Sequence, residues 1–351
     1  MIKVCYCTVY FAPYRDYTLQ KLSEYNDIEL TILSDNDKWL DHTEWHYDHP
    51  NLTIIYTDEP VSILKRNKFD IYVFTGTLNK KIVAWCMIHK KKYIYQADTI
   101  CEERDTFYPI KHFIKKCIIN QSQAVMVPGK LGRMYQEGMV SDKNKIFEGI
   151  YTFDNEALLN QIESSKNDID VINMKKRIAN RFTFLFVGKL IKSRKIGKLI
   201  NAFKELDMDV FLIIIGDGEE SYLVKEFINE KRNIQWIPRC SFDDLHKYYF
   251  LSDAYVHPGE EPYSLATIEA AIAGMPIVAS NKVGAVHDCL IHNFNGCVFD
   301  GDEKTLLVAM SKIIQKYERY VEGAKIIQNK FLYERSIDWA ADQMYQAIVY
   351  R

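Results

Sequence analysis

Two carboxylates, Glu261 and Glu269, stand eight residues apart in the run Glu261-Pro-Tyr263-Ser264-Leu265-Ala-Thr-Ile-Glu269, which continues to Gly274 and Pro276. This run predicts a loop that passes into a helix at Ser264 and Leu265, with Glu269 about one turn further in. The free N–H groups of such a first turn point at an anion, and the helix dipole adds a favourable field. Glu269 would face the same pocket and accept hydrogen bonds from the hydroxyls of a ribose. Gly274 and Pro276 end the helix and launch the next buried strand. A bare pair of glutamates at this spacing recurs by chance on amphipathic helices, so the flanking residues carry the weight of the reading.

A second cluster is cationic: Val187-Gly188-Lys189-Leu190, then Ser193-Arg194-Lys195. A glycine at the end of a buried strand lets the backbone turn close to a ligand. Lys189 and Lys195 can both reach a diphosphate if the loop folds over it, and would stabilise charge on a leaving group. A Lys/Arg run in a loop is ordinarily only solvated; its place upstream of the glutamate run favours the ligand. Gly216 closes the next strand in Ile215-Gly216-Asp217-Gly218, and Arg239 follows the strand at 234–237; each is also what an ordinary turn or loop would show. His257 is read as packing or capping rather than catalysing.

The elements that must position these residues form two series. Strands are predicted at Ile2–Val9, Ile28–Leu33, Leu52–Tyr56, Ile71–Phe74, Tyr93–Gln96 and Ala124–Val127, alternating with helices. A second series runs through Phe182–Val187, Val210–Ile215, Ile234–Ile237, Ala254–Val256, Pro276–Ala279 and Gly296–Phe299. Such alternation predicts two parallel, doubly wound sheets, as the 351-residue length suggests. The polar, helix-prone stretch 155–180 reads as a connector without strands. The domains expected are 1–155 and 156–336, with a helix at about 337–351 packing back on the first. The carboxyl ends of both sheets would face a central cleft, where such folds place ligands.

A net charge of −2 argues against a nucleic-acid binder, which needs a basic surplus. The eight cysteines are scattered, with Cys5 and Cys7 read on opposite faces of the first strand, so neither a zinc site nor a disulfide framework is expected. A reduced, cytoplasmic location follows from that cysteine usage. No leader and no membrane span is apparent, since no stretch approaches about 20 apolar residues. Residues 108–119 combine Lys111, Lys115 and Lys116 with Ile110, Phe113, Ile114 and Ile118. Such a helix would lie on the inner face of an anionic membrane; a core-facing helix with a solvated basic face is the commoner outcome.

The segment from Glu261 to Glu269 resembles the donor-site motif of retaining GT-B glycosyltransferases of family 4 (glycosyl transferases group 1), especially bacterial polysaccharide-type members that read Glu-Pro-(aromatic)-Gly-Leu before a helix starting Glu-Ala. The resemblance implies a GT-B fold of two Rossmann-like α/β domains. It carries contact with the transferred sugar onto Glu261 and with the nucleotide ribose onto Glu269, the flanking Tyr263, Ser264 and Leu265 completing the motif. Lys189 and Lys195 match the family's diphosphate-binding positions, Gly188 and Gly216 its turns, and Arg239 the region that contacts the base. Ser264 stands where the family has glycine, Lys189 where it has arginine, and Ile196 where it has glycine. On the acceptor side, Asp98 follows a strand where members carry a histidine near the sugar, and is equally a helix cap for a segment starting at Thr99. Arg15 follows Ala12-Pro13-Tyr14, where relatives have a glycine-rich loop; it would contact the acceptor or the donor, or simply lie on the surface.

The expected activity is transfer from a UDP- or GDP-sugar to a hydroxyl of a glycan, glycolipid or protein, with retention implied by the resemblance. No cofactor or metal is expected, because lysines and a helix terminus supply the electrostatics. A nucleotide-sugar epimerase would use the same donor contacts plus acid/base carboxylates. A degenerate GT-B protein would bind nucleotide sugar, or a partner, without turnover.

Overall fold

The computed structural model describes residues 1–8, 13–34, 52–75, 80–98, 107–206, 209–230 and 233–351. Val9, Ala12 and the segment starting at Thr99 therefore lie outside the described residues. Among these the chain divides into two compact units, Met1–Phe153 with Arg335–Arg351, and Asp154–Glu334.

The first unit contains β1 (Ile2–Thr8), α1 (Pro13–Ser23), β2 (Ile28–Ser34), β3 (Thr53–Tyr56), α2 (Pro60–Arg66), β4 (Ile71–Thr75), α3 (Lys80–Ile88), β5 (Tyr93–Gln96), α4 (Tyr108–Gln121), β6 (Ala124–Val127), α5 (Lys130–Glu137) and β7 (Ile146–Glu148). The strands form one parallel sheet in the order β3-β2-β1-β4-β5-β6-β7. One face is packed by α2, α3, α4 and α5, with Val83, Cys86 and Ile119 against Tyr72, Phe74 and Val125. On the other face Leu19 and Leu22 of α1 meet Val4, Tyr6 and Val73. Burial on both faces is why these strands read as apolar runs rather than alternating ones. Cys5 and Cys7 do not point to opposite faces: two residues apart in β1, they share one, as a strand's period requires. Their sulfurs are 3.6 Å apart, and both are free thiols.

The second unit contains α6 (Asn155–Ser164), α7 (Ile169–Ile178), β8 (Phe182–Val187), α8 (Ile196–Lys204), β9 (Val210–Ile215), α9 (Ser221–Glu230), β10 (Ile234–Ile237), α10 (Phe242–Leu251), β11 (Ala254–His257), α11 (Leu265–Ile272), β12 (Ile277–Ser280), α12 (Val286–Cys289), β13 (Gly296–Phe299), α13 (Glu303–Gln315) and α14 (Tyr317–Glu334). Its parallel sheet has the order β10-β9-β8-β11-β12-β13. The order reverses between β8 and β11, so the loops after these two strands diverge from a crevice at the sheet's carboxyl end, where such sheets take ligands. The helix-prone 155–180 stretch forms α6 and α7, which pack into the unit rather than only connect. Asp154 and Asp168 cap α6 and α7 through the amides of Ala157 and Asp170, and both helices pack on α10.

The last helix, α15 (Ile337–Val349), belongs to the first unit. Its Met344, Ala347 and Ile348 join the α1 side of that core. Arg335, just before it, is fixed 2.7 Å from Glu148 at the end of β7.

Candidate donor site

The site is built on loops held at close quarters. A Cβ on Gly216, whose φ is +131°, would stand 2.0 Å from the carbonyl oxygen of Gly188, and one on Gly259 would stand 2.3 Å from that of Ser193. Glycine alone lets the loops after β9 and β11 press against the loop after β8. Backbone bonds secure the contact: Gly188 N–H donates to Ile215, Leu190 N–H to Asp217 and Glu260 N–H to Ser193. The β8 loop then makes a short 3₁₀ turn, Lys192–Arg194, and enters α8 through Lys195 at φ +55°.

That turn aims Arg194 at Glu261. Arg194 Nη2 donates to Glu261 Oε1 at 2.6 Å, and Arg194 Nη1 donates to the Glu260 carbonyl. From the end of β11, the buried His257 places Nε2 at 2.9 Å from Glu261 Oε2. Burial alone would raise the Glu261 carboxyl, but the His257 hydrogen bond and the charges of His257 and Arg194 outweigh it and hold the group below its usual range. An ionised carboxylate only accepts, so His257 Nε2 carries the hydrogen. Glu261 is left about a quarter exposed, a fixed negative charge at the mouth of the crevice.

Ser264 caps α11 with φ +81°, in a region that disfavours side chains. It is nonetheless buried, and Thr267 Oγ1 donates to its hydroxyl at 2.9 Å. Leu265 opens the helix, and Tyr263 is buried with its carbonyl accepting from Ala285 N–H at 2.7 Å. Glu269, one turn in, is buried, and Tyr249 of α10 donates to its Oε2 at 2.5 Å. Burial pushes its pKa up to about 7, only partly offset by the Tyr249 hydrogen bond. The two glutamates of the motif are thus opposite in character, one held ionised by the His257 hydrogen bond and the Arg194 charge, the other drawn towards neutrality by its apolar surroundings.

Of the other residues singled out in the sequence, Gly188 and Gly216 lie in the touching loops, with Lys189 exposed beside them. Lys195 lines a cavity of about 340 Å³ with Lys198, Gly259, Glu260, Ser280 and Lys282. Arg239 is exposed in the loop after β10. In the first unit, Asp98 is exposed just beyond β5. Arg15 is not a surface side chain: in the first turn of α1 it is buried, and its Nη1 donates to Thr8 Oγ1 at 2.9 Å.

Three residues of this arrangement had no assigned role in the sequence reading: Arg194, His257 as the partner of Glu261, and Tyr249. Arg194 stands as a cation beside Lys195 in the sequence, but which of the two meets Glu261 depends on the fold of the 192–195 turn, which residue types do not show. His257 stands four residues before Glu261, a spacing that says nothing outside a helix. Tyr249 comes from another helix and left no local signal.

Comparison with known proteins bears on the fold and on the second unit. Residues 168–329 match the family model for glycosyl transferases group 1. A 41.2 kDa protein in the cps region of Klebsiella pneumoniae is 24% identical over 293 residues, 77% of each chain. The capsular polysaccharide biosynthesis glycosyltransferase CapM of Staphylococcus aureus is 27% identical over 170 residues, 44% of each chain. Among solved structures, HepE of Anabaena in complex with UDP and glucose is similar with a TM-score of 0.75 at 15% identity, over 99% of both chains. Sucrose-phosphate synthase from Thermosynechococcus elongatus is similar with a TM-score of 0.76 at 14% identity, over 99% of this chain and 98% of that one. The chain has the two-domain GT-B fold, and the match to the glycosyl transferases group 1 model falls within its second unit.

Proposed function

We propose that this chain transfers a glycosyl unit from a UDP-sugar, or a GDP-sugar, to a hydroxyl acceptor, with retention of the anomeric configuration and without a divalent metal. The observation that carries the reading is the ionised, doubly held Glu261 at the switch point of the second sheet, next to the start of α11. The UDP ligand of HepE supports uracil as the base, and the likeness to CapM supports an acceptor in polysaccharide or glycoconjugate assembly.

In this reading the diphosphate lies against Lys189, Lys195 and the N–H groups near Ser264 and Leu265, with the Gly188 and Gly216 turns admitting it closely. Glu269 accepts from the ribose, and Arg239 stands by the base. As the glycosidic bond breaks, the diphosphate oxygen takes the electron pair, and positive charge grows on the anomeric carbon beside Glu261. The acceptor hydroxyl attacks from the same face and gives its proton to the departing phosphate oxygen. Asp98 orients that hydroxyl or the sugar, and Arg15 belongs to the acceptor side.

The test is incubation with UDP- and GDP-sugars labelled in the sugar, with and without EDTA, followed by NMR of the anomeric proton. Release of labelled sugar or product that keeps the donor's configuration in EDTA supports the proposal. Inverted product, or activity abolished by EDTA and restored by magnesium, contradicts it.

A further inference from the structure

Glu269 is a carboxylate buried without a cation. In the middle of α11, it is 5% exposed, and among the described residues its side chain has one hydrogen-bond partner, the Tyr249 hydroxyl at 2.5 Å from Oε2. Oε1 has no donor among them. Helix α11 packs against α6, α12, α14, β11 and β12. From these elements and from α10, the titratable groups that couple to Glu269 are Tyr249 and Tyr255, with no lysine, arginine or histidine. By contrast, Glu261 is held through both oxygens, by Arg194 and His257.

The fold seats this tyrosine firmly. Ser241 caps α10 by accepting from the Asp244 amide at 3.1 Å. Lys247, two residues before Tyr249, lies 3.1 Å from Asp168 and 2.8 Å from Asp244. Asp168 in turn caps α7, so α10 is tied to its neighbour. The Tyr249 hydroxyl meets the backbone of α11 as well as the carboxylate, lying 3.4 Å from the Ala266 carbonyl. Burial, and after it the Glu269 charge, push the phenol well above the usual tyrosine range, so it remains a donor at every ordinary pH.

We infer that Tyr249 is a positioning residue for nucleotide binding: by holding Glu269 through Oε2, it presents Oε1 to the hydroxyls of the ribose. This rests on the donor reading above and adds to it the group that sets the carboxylate. A glutamate side chain left loose must be ordered again by the ligand, which weakens binding. A hydrogen bond to an ionised acceptor is also stronger than one to a neutral carboxyl. Removing the Tyr249 hydroxyl therefore acts twice, on the place of Oε1 and on its charge, because burial alone then draws the carboxyl above its present value of about 7. The second effect fades where the solution is alkaline enough to ionise Glu269 in both proteins. That fading is a pH signature which lost packing would not produce.

The experiment is isothermal titration calorimetry of the full chain and of Tyr249→Phe, which keeps the ring, with UDP and with GDP at pH 7 and pH 8.5. Circular dichroism shows that both proteins are folded, and the ligand's own ionisation cancels in the ratio of their dissociation constants. We expect the variant to bind about tenfold more weakly at pH 7 and about threefold or less at pH 8.5. In a Glu269→Gln background, Tyr249→Phe should weaken binding by no more than about twofold at either pH, because the two residues act as one unit. Equal affinities, a ratio that does not change with pH, or an undiminished loss in the Glu269→Gln background overturns the inference and leaves the donor reading standing. A parent chain that binds neither nucleotide overturns both.

Discussion

Arg194 Nη2 lies 2.6 Å from Glu261 Oε1, joining the loop after β8 to the loop after β11 across the point where the strand order reverses. With one side chain 13% and the other 24% exposed, this pair is screened less than a surface ion pair. It fixes the carboxylate that the proposed mechanism needs. Arg194→Ala should leave that carboxylate with His257 alone and raise its pKa. A depressed carboxyl contributes stability above its unfolded pKa, and this is lost as pH falls through the lower folded pKa. The variant should therefore show a smaller loss of stability on acidification below about pH 4.5. Urea unfolding from pH 3 to 7 checks this; an unchanged acid limb would mean that Arg194 does not hold Glu261.

Gly259 permits that pair to form. Gly259→Ala puts a methyl group against the Ser193 carbonyl and the Arg194 backbone, so the loops must part. A stability loss of about 1–3 kcal/mol is expected, as for overpacking elsewhere, measured by chemical denaturation, together with loss of UDP binding.

Ser264 separates two effects. Ser264→Ala keeps the strained φ of +81° and removes the hydroxyl that accepts from Thr267. Ser264→Gly removes the hydroxyl and the strain together. The glycine variant should therefore be the more stable of the two by about 1 kcal/mol or more; equal melting temperatures would show that the backbone at 264 is unstrained.

Glu269 gives a second pH signature of opposite sign. Its folded pKa of about 7 lies above the ordinary 4.5, so the folded state holds a proton that the unfolded state releases. Stability should fall as pH rises from about 4.5 to about 7, by an amount on the order of 3 kcal/mol. Glu269→Gln should flatten that part of the curve, and thermal melts at pH 5 and pH 8 compare the two proteins directly.

His257 should act by positioning. If it holds Glu261, His257→Ala lowers kcat by roughly tenfold to a hundredfold with little change in KM for the donor. His257→Gln should recover part of the loss, because its amide N–H donates as the imidazole does. A rise in KM alone, without rescue by glutamine, would assign His257 to packing.

Much of the fold was legible in the sequence because buried parallel strands are written as short apolar runs: Phe182–Val187 and Val210–Ile215 are strands with the bounds expected. The entry into α11 at Leu265 was equally plain, since loop residues, a helical run and a terminal glycine follow one another. Strand β7 was missed because Ile146–Glu148 is three residues long, too short for periodicity to register. The helical character of α6 and α7 was legible, but their packing was not, because one polar face of each hides the apolar residues, Ile162 and Val171 among them, that pack inward. In the site, residue types were legible but partners were not. Which cation meets Glu261, and which hydroxyl covers Glu269, depends on backbone turns and on helices distant in sequence.

The most direct test of the central claim is a thermal-shift titration with UDP, GDP, ADP and TDP, with and without EDTA, on the parent chain and on Glu269→Ala. One diphosphate, UDP before GDP, should raise the melting temperature of the parent, EDTA should leave the shift unchanged, and Glu269→Ala should lose it. No shift with any nucleotide at millimolar concentration, or a shift of the same size in Glu269→Ala, would contradict the donor site placed at α11.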